Sequence, residues 1–523
     1  MRKALVSRRG RRVSNTVSLP APVGGLNARD PYASMDFKDA VILENFFPHP
    51  NYVELRSGSS NHLTDSGSAI SGNGGIQTLM AYNTGSGAQK LFAANTIAIY
   101  DATSAGSIGA GVVTSMTSGR WQYINFSTTG GAYLYAVNGA DKPQLYDGTN
   151  WTAIDSGSTP AITGVTTTNL IHVNAFKNRI WFIEKTSLKA WYLPTSAVGG
   201  AATLFDFRSI FTRGGYLMAM GTWTLDAGYG MDDHAVFITS EGEVAVYRGT
   251  DPASAATWAL VGKFQVGAPI GRRCLAQYGS DLAVICKDGL ILLSKALLTS
   301  QVNKASSLTD KILPLISADI VSYGSQFGWQ VVLHPVGDAL VLNVPQSSTV
   351  AHQYVMNTVS GAWCKFTGWN ALCFERYNDN IYFGTSSAVV KAFTGVADNS
   401  TNINGNALQA FNYLGKNTAL KHCTMMRPML GMDIGAGILV GVNFDFDTSD
   451  PSGSPILPTS AAGVWDTGTW DSAVWGGDLT ISKNWLHADG IGYAVAPHIK
   501  AQTKVSRVVW YATDLVYQEG NVL

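Results

Sequence analysis

Charged side chains are scarce in this sequence. Only 14% of the 523 residues are Asp, Glu, Lys or Arg, and 36 basic residues balance 36 acidic ones. A chain without net charge has no overall field that would gather nucleic acid or an anionic membrane, so an electrostatic function would have to be local. The 46% apolar content together with zero net charge also excludes an intrinsically disordered chain.

Cysteines and long hydrophobic runs are few as well. The five cysteines form no C-x-x-C pair, so the sequence indicates neither a disulfide framework nor a zinc knuckle, and we expect the thiols in the core of a protein from a reducing compartment. The apolar stretch at residues 290–298 is broken by Ser294 and Lys295 and is too short for a membrane helix. The N-terminal region lacks the apolar segment of a signal peptide. We therefore expect neither membrane insertion nor secretion by that signal.

The motifs of common enzymes are missing too. The sequence contains no G-x-S-x-G, no G-x-x-x-x-G-K-[ST] and no H-E-x-x-H, so we predict a protein without catalytic residues, metal or cofactor. Two weaker patterns remain. His234 follows two aspartates, as in a metal or acid–base site, although a polar turn before a strand is the simpler explanation. Asp445, Asp447 and Asp450 alternate as in a calcium loop, but the spacing departs from that motif and no glutamate follows at its twelfth position.

What the sequence does have is a repeated pair of short apolar strands between about residues 80 and 395. The repeat interval is about 40–50 residues, which is typical of the blades of a β-propeller. Asn138-Gly139 and Asp288-Gly289 provide hairpin turns within it. The predicted pairs are 91–94 with 97–101, 134–137 with 145–148, 180–183 with 191–193, 235–238 with 244–247, 282–285 with 290–293, 339–342 with 353–356, and 381–383 with 389–393.

The pattern predicts an all-β fold built around a β-propeller body. Residues 202–230 and 300–335 are irregular, so the number of blades stays open between six and seven. The predicted divisions are an N-terminal extended arm, an anchoring segment with the first strand, the propeller body and a C-terminal Trp-rich β-module, at residues 1–34, 35–80, 81–395 and 396–523.

Tryptophans recur in two patterns. Trp151, Trp258 and Trp363 each follow a strand and a polar turn, at nearly equal spacings. They indicate either an aromatic binding platform or packing between neighbouring blades, and packing is favoured because large aromatic side chains contribute much of the buried area of sheet proteins. The C-terminal region adds a run with a period of five, which matches neither a strand nor a helix and which we assign, together with one later tryptophan, to packing or to an interface: Trp465, Trp470, Trp475 and Trp510.

The N-terminal arm carries six positive charges and no acidic residue before Asp30. Such a run indicates contact with phosphate, as in nucleic acid, or with an acidic partner surface; a solvated tail and a transit-like segment are the alternatives. The residues concerned are Arg2, Lys3, Arg8, Arg9, Arg11 and Arg12.

The most distinctive segment is residues 35–58, MDFKDAVILENFFPHPNYVELRSG. Asp36 predicts the cap of a short helix with Asp39 in its first turn, where the helix dipole favours negative charge. Pro48 would end that helix, and the first strand would begin at Val53. Together with the propeller pattern and the C-terminal sequence VVWYATDLVYQEG at residues 508–520, this segment resembles the tail nozzle or tail hub proteins of short-tailed bacteriophages, also called packaged-DNA stabilisation proteins.

The resemblance implies a virion structural protein of the phage tail that is assembled in the host cytoplasm and is not an enzyme. Similar proteins form a ring, a hexamer, below the portal and adaptor, where they extend the DNA channel, contact tail fibres or a needle, and retain the genome until ejection. Double-stranded DNA would be a transient partner, and a wall with little positive charge would let it slide. The assembly interface implied by the resemblance comprises Asp36, Asp39, Asn45, Pro48, Arg56 and Gly58.

Two other functions fit a propeller. A carbohydrate-cleaving tailspike needs only two carboxylates on loops, although the sequence singles out no such pair. An adhesin would bind a receptor through the loops at one end of the propeller.

Overall fold

The computed structural model describes residues 14–85, 89–226, 231–298, 307–432, 437–451, 455–456, 479–482 and 484–520. Its contacts divide the chain into two compact units. We call residues 1–58, 359–365 and 395–523 the terminal unit, and residues 59–358 with 366–394 the propeller unit.

Six of the sheets in the propeller unit are arranged as blades, and the blade strands named below pair antiparallel with their neighbours. The strands are, for blade 1, Thr78–Tyr82, Lys90–Ala94, Ala98–Asp101 and Val113–Thr114; for blade 2, Gln122–Thr128, Gly131–Val137, Gln144–Tyr146 and Trp151–Ala153; for blade 3, Leu170–Phe176, Arg179–Glu184, Lys189–Tyr192 and Thr203–Asp206; for blade 4, Leu217–Asp226, Met231–Thr239, Glu243–Gly249 and Trp258–Gln265; for blade 5, Leu275–Tyr278, Asp281–Cys286 and Gly289–Leu292; and for blade 6, Cys373–Tyr377, Asn380–Gly384, Ala388–Ala392 and Ser59–Thr64.

A three-stranded meander lies between blades 5 and 6. Its strands are Gln330–His334, Ala339–Pro345 and Ala351–Asn357. The side chain of Gln330 donates to the carbonyl of Phe374 in blade 6 at 2.8 Å and accepts from its N–H at 3.1 Å. The ring closes because Ser59–Thr64, the first strand of the unit, pairs with Ala388–Ala392, the last. The all-β propeller predicted from the sequence is therefore confirmed, with six separate blade sheets and one meander.

All seven predicted strand pairs are present. In each blade, and in the meander, they form the second and third strands, whose side chains are largely buried. The prediction that tryptophans pack between blades also holds for two of the three: Trp151 lies 4.9 Å from Phe92 of blade 1, and Trp258 lies 5.6 Å from Trp181 of blade 3, measured between ring centroids. Trp363 is buried in the terminal unit.

Helices and short additional strands interrupt the propeller. Gly106–Ser107 pairs parallel with the end of Ser59–Thr64, and Ile162–Thr163 pairs parallel with Gly200–Ala201. The α-helices are Leu293–Leu298 and Leu313–Tyr323, and the second fills part of the segment that the sequence left irregular. The 3₁₀ turns are Ser71–Asn73, Thr167–Asn169, Asp310–Ile312 and Pro335–Gly337, and the two-residue strands are Gly106–Ser107, Ile162–Thr163 and Gly200–Ala201. Among the described residues, neither helix reaches the length and apolar character that crossing a bilayer would require.

The terminal unit consists of two sheets. Sheet 1 contains Ser14–Pro20, Phe46–Pro48, Val53–Leu55, Leu420–Met432, Thr480–Ser482, Leu486–Gly492 and Val508–Gly520. Sheet 2 contains Gly25–Leu26, Asp39–Glu44, Ile403–Gln409, Gly437–Phe444, Pro455–Ile456 and Val495–Thr503, and Glu44 also pairs with Lys365 in Trp363–Phe366. The sheets pack face to face at Gly405, where an added Cβ would lie 2.5 Å from Leu55 and 2.7 Å from Phe46.

The terminal unit joins two regions that the sequence analysis assigned to different domains. Ser14–Pro20 pairs antiparallel with residues 512–518, so this part of the predicted arm is a strand of a sheet. Val53 and Glu54 pair with Trp510 and Val509. Pairing over nearly the full length of the chain leaves no local sequence signal, which is why the pattern did not reveal it. The five cysteines are free and buried in the core, as expected.

Candidate functional site

The helix predicted to begin at Asp36 is wrong. Asp36 instead accepts the N–H of Lys38 at 2.9 Å in a turn, and residues Asp39–Glu44 form a strand of sheet 2. This strand pairs antiparallel with Ile403–Gln409 through Ala40, Ile42, Leu43 and Glu44. Tertiary pairing therefore decides the conformation here rather than the capping potential of Asp36.

Arg56 stands at the centre of the residues that the resemblance assigned to assembly. Its guanidinium forms a two-pronged ion pair with Asp398, with distances of 2.9 Å and 2.5 Å, and the Arg56 side chain is only 1% exposed. Nε of Arg56 donates to Oδ1 of Asn45 at 2.8 Å, and Nδ2 of Asn45 donates to the carbonyl of Asn404 at 2.8 Å. This network connects the segment before the propeller unit to the segment after it.

The other predicted interface residues are also placed by packing within the terminal unit. Asp39 is buried and accepts a hydrogen bond from Asn27 at 2.7 Å. Pro48 is buried at the end of its strand, and a Cβ on Gly58 would lie 2.0 Å from the carbonyl oxygen of Ala397. Asp36 is exposed. Five of the six side-chain positions thus face the interior of the unit, and their role in assembly stays a prediction.

Of the remaining residues predicted to take part in packing or binding, Trp510 is the one that the structure describes. Trp510 is fully buried, and its indole N–H donates to Oγ1 of Thr513 at 3.0 Å, so it packs in the core. The arm residues and the three tryptophans with a period of five lie outside the described residues: Arg2, Lys3, Arg8, Arg9, Arg11, Arg12, Trp465, Trp470 and Trp475.

A cavity of about 350 Å³ opens in the propeller unit, and we call it the arginine cavity. Its walls come from blade 2, from the segment that precedes blade 5 and from the segment that precedes the meander. They include Arg120, Arg272, Arg273 and Phe327. A second space of about 160 Å³, the inner cavity, shares Arg272 and Arg273 with it. Side chains from five of the six blades and from the meander converge on the inner cavity, which therefore lies at the propeller axis.

Arg273 forms hydrogen bonds to several elements around the propeller axis. One of its terminal nitrogens, Nη2, donates to Oγ1 of Thr78 at 2.6 Å and to the carbonyls of Gln77 and Trp121, each at 3.2 Å. The other contacts Oε1 of Gln330 at 3.4 Å. A single guanidinium at the entrance to blade 5 thus joins blades 1 and 2 and the meander. Burial lowers the pKa of Arg273.

The titratable groups around the inner cavity are shifted toward their neutral forms. Burial raises the pKa of Glu375 to about 7, and burial together with the charge of Glu375 raises the pKa of the Tyr123 phenol well above its usual value. Burial lowers the pKa of His172 to about 4, while Nε2 of this ring donates to the carbonyl of Met220 at 2.9 Å. Burial also raises the pKa of Cys373 to about 11, so it remains a thiol at neutral pH. The arginines therefore supply most of the charge at the axis.

The two weaker sequence patterns have structural explanations. His234 is buried in the second strand of blade 4 beside the ring of Trp223, and not in a turn. Asp445 accepts the backbone N–H groups of Tyr493 and Ala494, and Asp450 pairs with Lys500 at 2.7 Å. In the part of the chain that the structure describes, no group of three or more His, Cys, Asp or Glu side chains is placed to hold a metal ion.

The sequence analysis missed the axial arginines. Arg272 and Arg273 are adjacent, but Arg120 lies about 150 residues away, and only the ring of blades brings the three together. Each lies just before the first strand of a blade, Gln122–Thr128 or Leu275–Tyr278, and this shared position is the signal that the sequence offered.

Comparison with known proteins leaves the family open. No protein-family model matches the chain, and no curated protein matches it. Among solved structures, the chain is similar to the computationally designed Ika8 protein (10% identity, TM-score 0.33, 67% of this chain and 96% of that one). It is also similar to BBS1N, crystallised in complex with ARL6DN (12%, 0.39, 66% and 99%), and to the β-propeller domain of Cps50 (Swd1) from Myceliophteria thermophila (11%, 0.38, 66% and 99%). These likenesses carry no conclusion about activity or partners.

Proposed function

We propose that the protein is a structural component of a bacteriophage tail, an oligomeric hub or nozzle below the portal and adaptor that extends the DNA channel and retains the genome until ejection. The observation that supports this most is the adjacency of the two segments that carry the resemblance. Val53–Leu55 and Val508–Gly520 are hydrogen-bonded neighbours in sheet 1. The resemblance thus falls on one folded unit rather than on two unrelated pieces of sequence.

Sheet 1 also carries apolar side chains in contact with solvent. Along Leu486–Gly492, His487, Asp489 and Ile491 are exposed and alternate with less accessible residues, so they share the solvent face. Large exposed side chains on or next to the strands of this sheet are Met425, Ile481, Trp485, Ile491 and Tyr511. Exposed apolar surface of this kind is typical of protein–protein interfaces. We assign it to contact between copies of the chain in a ring, a hexamer by the resemblance.

The proposed partners follow from a position below the portal and adaptor. They are further copies of the chain, the portal and adaptor proteins, tail fibres or a needle, and double-stranded DNA in transit. The location would be the virion. The terminal unit would carry the assembly contacts, because its sequence segments carry the resemblance and its sheet 1 carries the exposed apolar side chains.

The experiment compares assembly of two variants by analytical ultracentrifugation and native mass spectrometry. Ile491→Lys places a charge on the exposed face of sheet 1, where the side chain is 58% exposed, and we expect it to dissociate the oligomer. Val321→Lys places the same charge on the propeller unit at a side chain that is 87% exposed, and we expect it to assemble normally. Equal assembly of both variants would refute the assignment of this face.

The two rival functions have their own assays. Release of reducing sugars from host polysaccharide by the purified chain would favour the tailspike, and binding of the free chain to intact host cells would favour the adhesin. A hub or nozzle is expected to do neither.

A further inference from the structure

The arginine cavity holds positive charge that its own walls do not neutralise. Among the described residues that line it, Arg120, Arg272 and Arg273 are the charged ones. Asp141 lies close by, but its carboxylate is engaged by the N–H groups of Thr117 and Ser118 and by the side-chain amide of Asn138. Glu375, on the adjoining inner cavity, acts on Arg273, but burial raises its pKa to about 7. Arginines gathered in a concave site without a paired carboxylate are the arrangement with which proteins bind anions.

Two of the three guanidinium groups have donors to spare. Arg120 contacts the Phe327 ring, 4.6 Å from its centroid, and within the described residues its guanidinium makes no hydrogen bond or ion pair. Arg272 donates once, to the carbonyl of Asn138 at 3.1 Å. Since a guanidinium offers five N–H donors, most of those on Arg120 and Arg272 are available to a ligand.

Arg120 and Arg272 are also close enough to repel one another. Burial lowers the pKa of Arg272, and the positive charge of Arg120 lowers it further. An anion between the two groups would remove this repulsion. The third arginine is fixed differently: Arg273 is bonded to blades 1 and 2, and Phe327, whose ring centroid lies 5.1 Å from its guanidinium carbon, spans the distance from Arg273 to Arg120.

The geometry points to a binding site for a phosphate group between Arg120 and Arg272. The planar fork of arginine matches the oxygens of a phosphate and can bind two of them at once. The volume of about 350 Å³ lies within the range of small-molecule sites and exceeds what one phosphate fills. The phosphate is either free or part of a small phosphate monoester, and the experiment distinguishes the two. This site is independent of the proposed tail function.

Isothermal titration calorimetry of the full chain with inorganic phosphate, and separately with a nucleoside monophosphate, tests the site. We expect saturable binding of at least one of them, weakened at least tenfold by Arg272→Gln, which is the loss typical of one charge-assisted hydrogen bond. Arg120→Gln should weaken binding by a similar factor. Arg120→Gln is the variant that we expect to fold normally, because the Arg120 side chain is exposed and its guanidinium makes no hydrogen bond or ion pair within the described residues.

The matched control is Arg208→Gln, which removes the same charge from an exposed arginine that is paired with Asp206 on the surface of the same unit. It should bind as the unaltered chain does. Tighter binding of the monophosphate would identify a phosphorylated small molecule as the ligand class, and equal binding would identify free phosphate. Absence of binding at millimolar concentrations of both probes, or equal weakening by Arg208→Gln and Arg272→Gln, would overturn the proposal.

Discussion

The buried ion pair between Arg56 and Asp398 makes a quantitative prediction about the terminal unit. Arg56→Met removes the guanidinium that donates to the Asp398 carboxylate and to the amide oxygen of Asn45. Removing one partner of a buried pair costs about 3–5 kcal/mol, and because the Asp398 side chain is 16% exposed and keeps some solvation we expect the lower end, about 3 kcal/mol. We expect this loss in the free energy of unfolding of the terminal unit, since Asn45, Ser57 and Asp398, which accept hydrogen bonds from the guanidinium, lie in that unit.

Hydrogen exchange read by mass spectrometry resolves this effect by segment. A loss of about 3 kcal/mol corresponds to exchange faster by about two orders of magnitude in peptides that cover Val53–Leu55 and Ile403–Gln409. Arg56→Lys retains the charge but loses the two-pronged geometry, so we expect about half the effect. Arg208→Met is the matched control, because that side chain is 75% exposed and solvent screens its ion pair with Asp206, so we expect no measurable change in exchange.

A double variant tests the stated cause. If the stranded carboxylate produces the loss, Arg56→Met combined with Asp398→Leu should be more stable than Arg56→Met alone. Unchanged exchange in Arg56→Met, or a double variant less stable than the single one, would refute the reasoning.

Three further predictions concern the axis and the close contacts. Arg273→Met should lower the free energy of unfolding of the propeller unit by about 3 kcal/mol in urea titrations, because several acceptors lose a charged donor at once. A loss no larger than that of Arg208→Met would contradict the role of Arg273 in joining blades 1 and 2 and the meander. Glu375, with its pKa raised to about 7, keeps in the folded state a proton that the unfolded chain has released, so its contribution to stability should fall as pH rises from about 4.5 to 7. His172 and His498, with pKa values lowered to about 4, contribute the opposite slope, so the test is the difference between Glu375→Gln and the unaltered chain: in urea titrations the variant should gain stability relative to the unaltered chain as pH rises across this range. Gly58→Ala should destabilise the terminal unit by about 2–3 kcal/mol, since its Cβ would overlap the backbone of Ala397, whereas Gly109→Ala, with open space around the position, should change the thermal midpoint little.

The sequence was informative where the structure is local. Each predicted strand pair consists of two apolar segments joined by a short turn, so both the pattern and the pairing lie within about 20 residues, as in Gly131–Val137 with Gln144–Tyr146. The interval between pairs then identified the propeller. The helix Leu313–Tyr323 went undetected because its first turn begins with Leu-Pro and its apolar residues form no long amphipathic stripe.

Features that depend on distant pairing could not be predicted in this way. Asp36 and Asp39 have the residue types of a helix start, but the partner strand Ile403–Gln409 lies more than 350 residues away and imposes an extended backbone. The Arg56–Asp398 pair and the contact of Ser14–Pro20 with residues 512–518 have the same origin. The arginine cavity requires the ring itself, since its walls come from separate blades.

The central claim is that this chain assembles onto the portal and adaptor of a phage particle, and electron microscopy of the purified chain mixed with portal–adaptor rings tests it most directly. The account predicts a closed ring of this chain on the free end of the adaptor, coaxial with its channel, and loss of that ring in Ile491→Lys but not in Val321→Lys. A chain that leaves the adaptor rings bare at saturating concentration would contradict it.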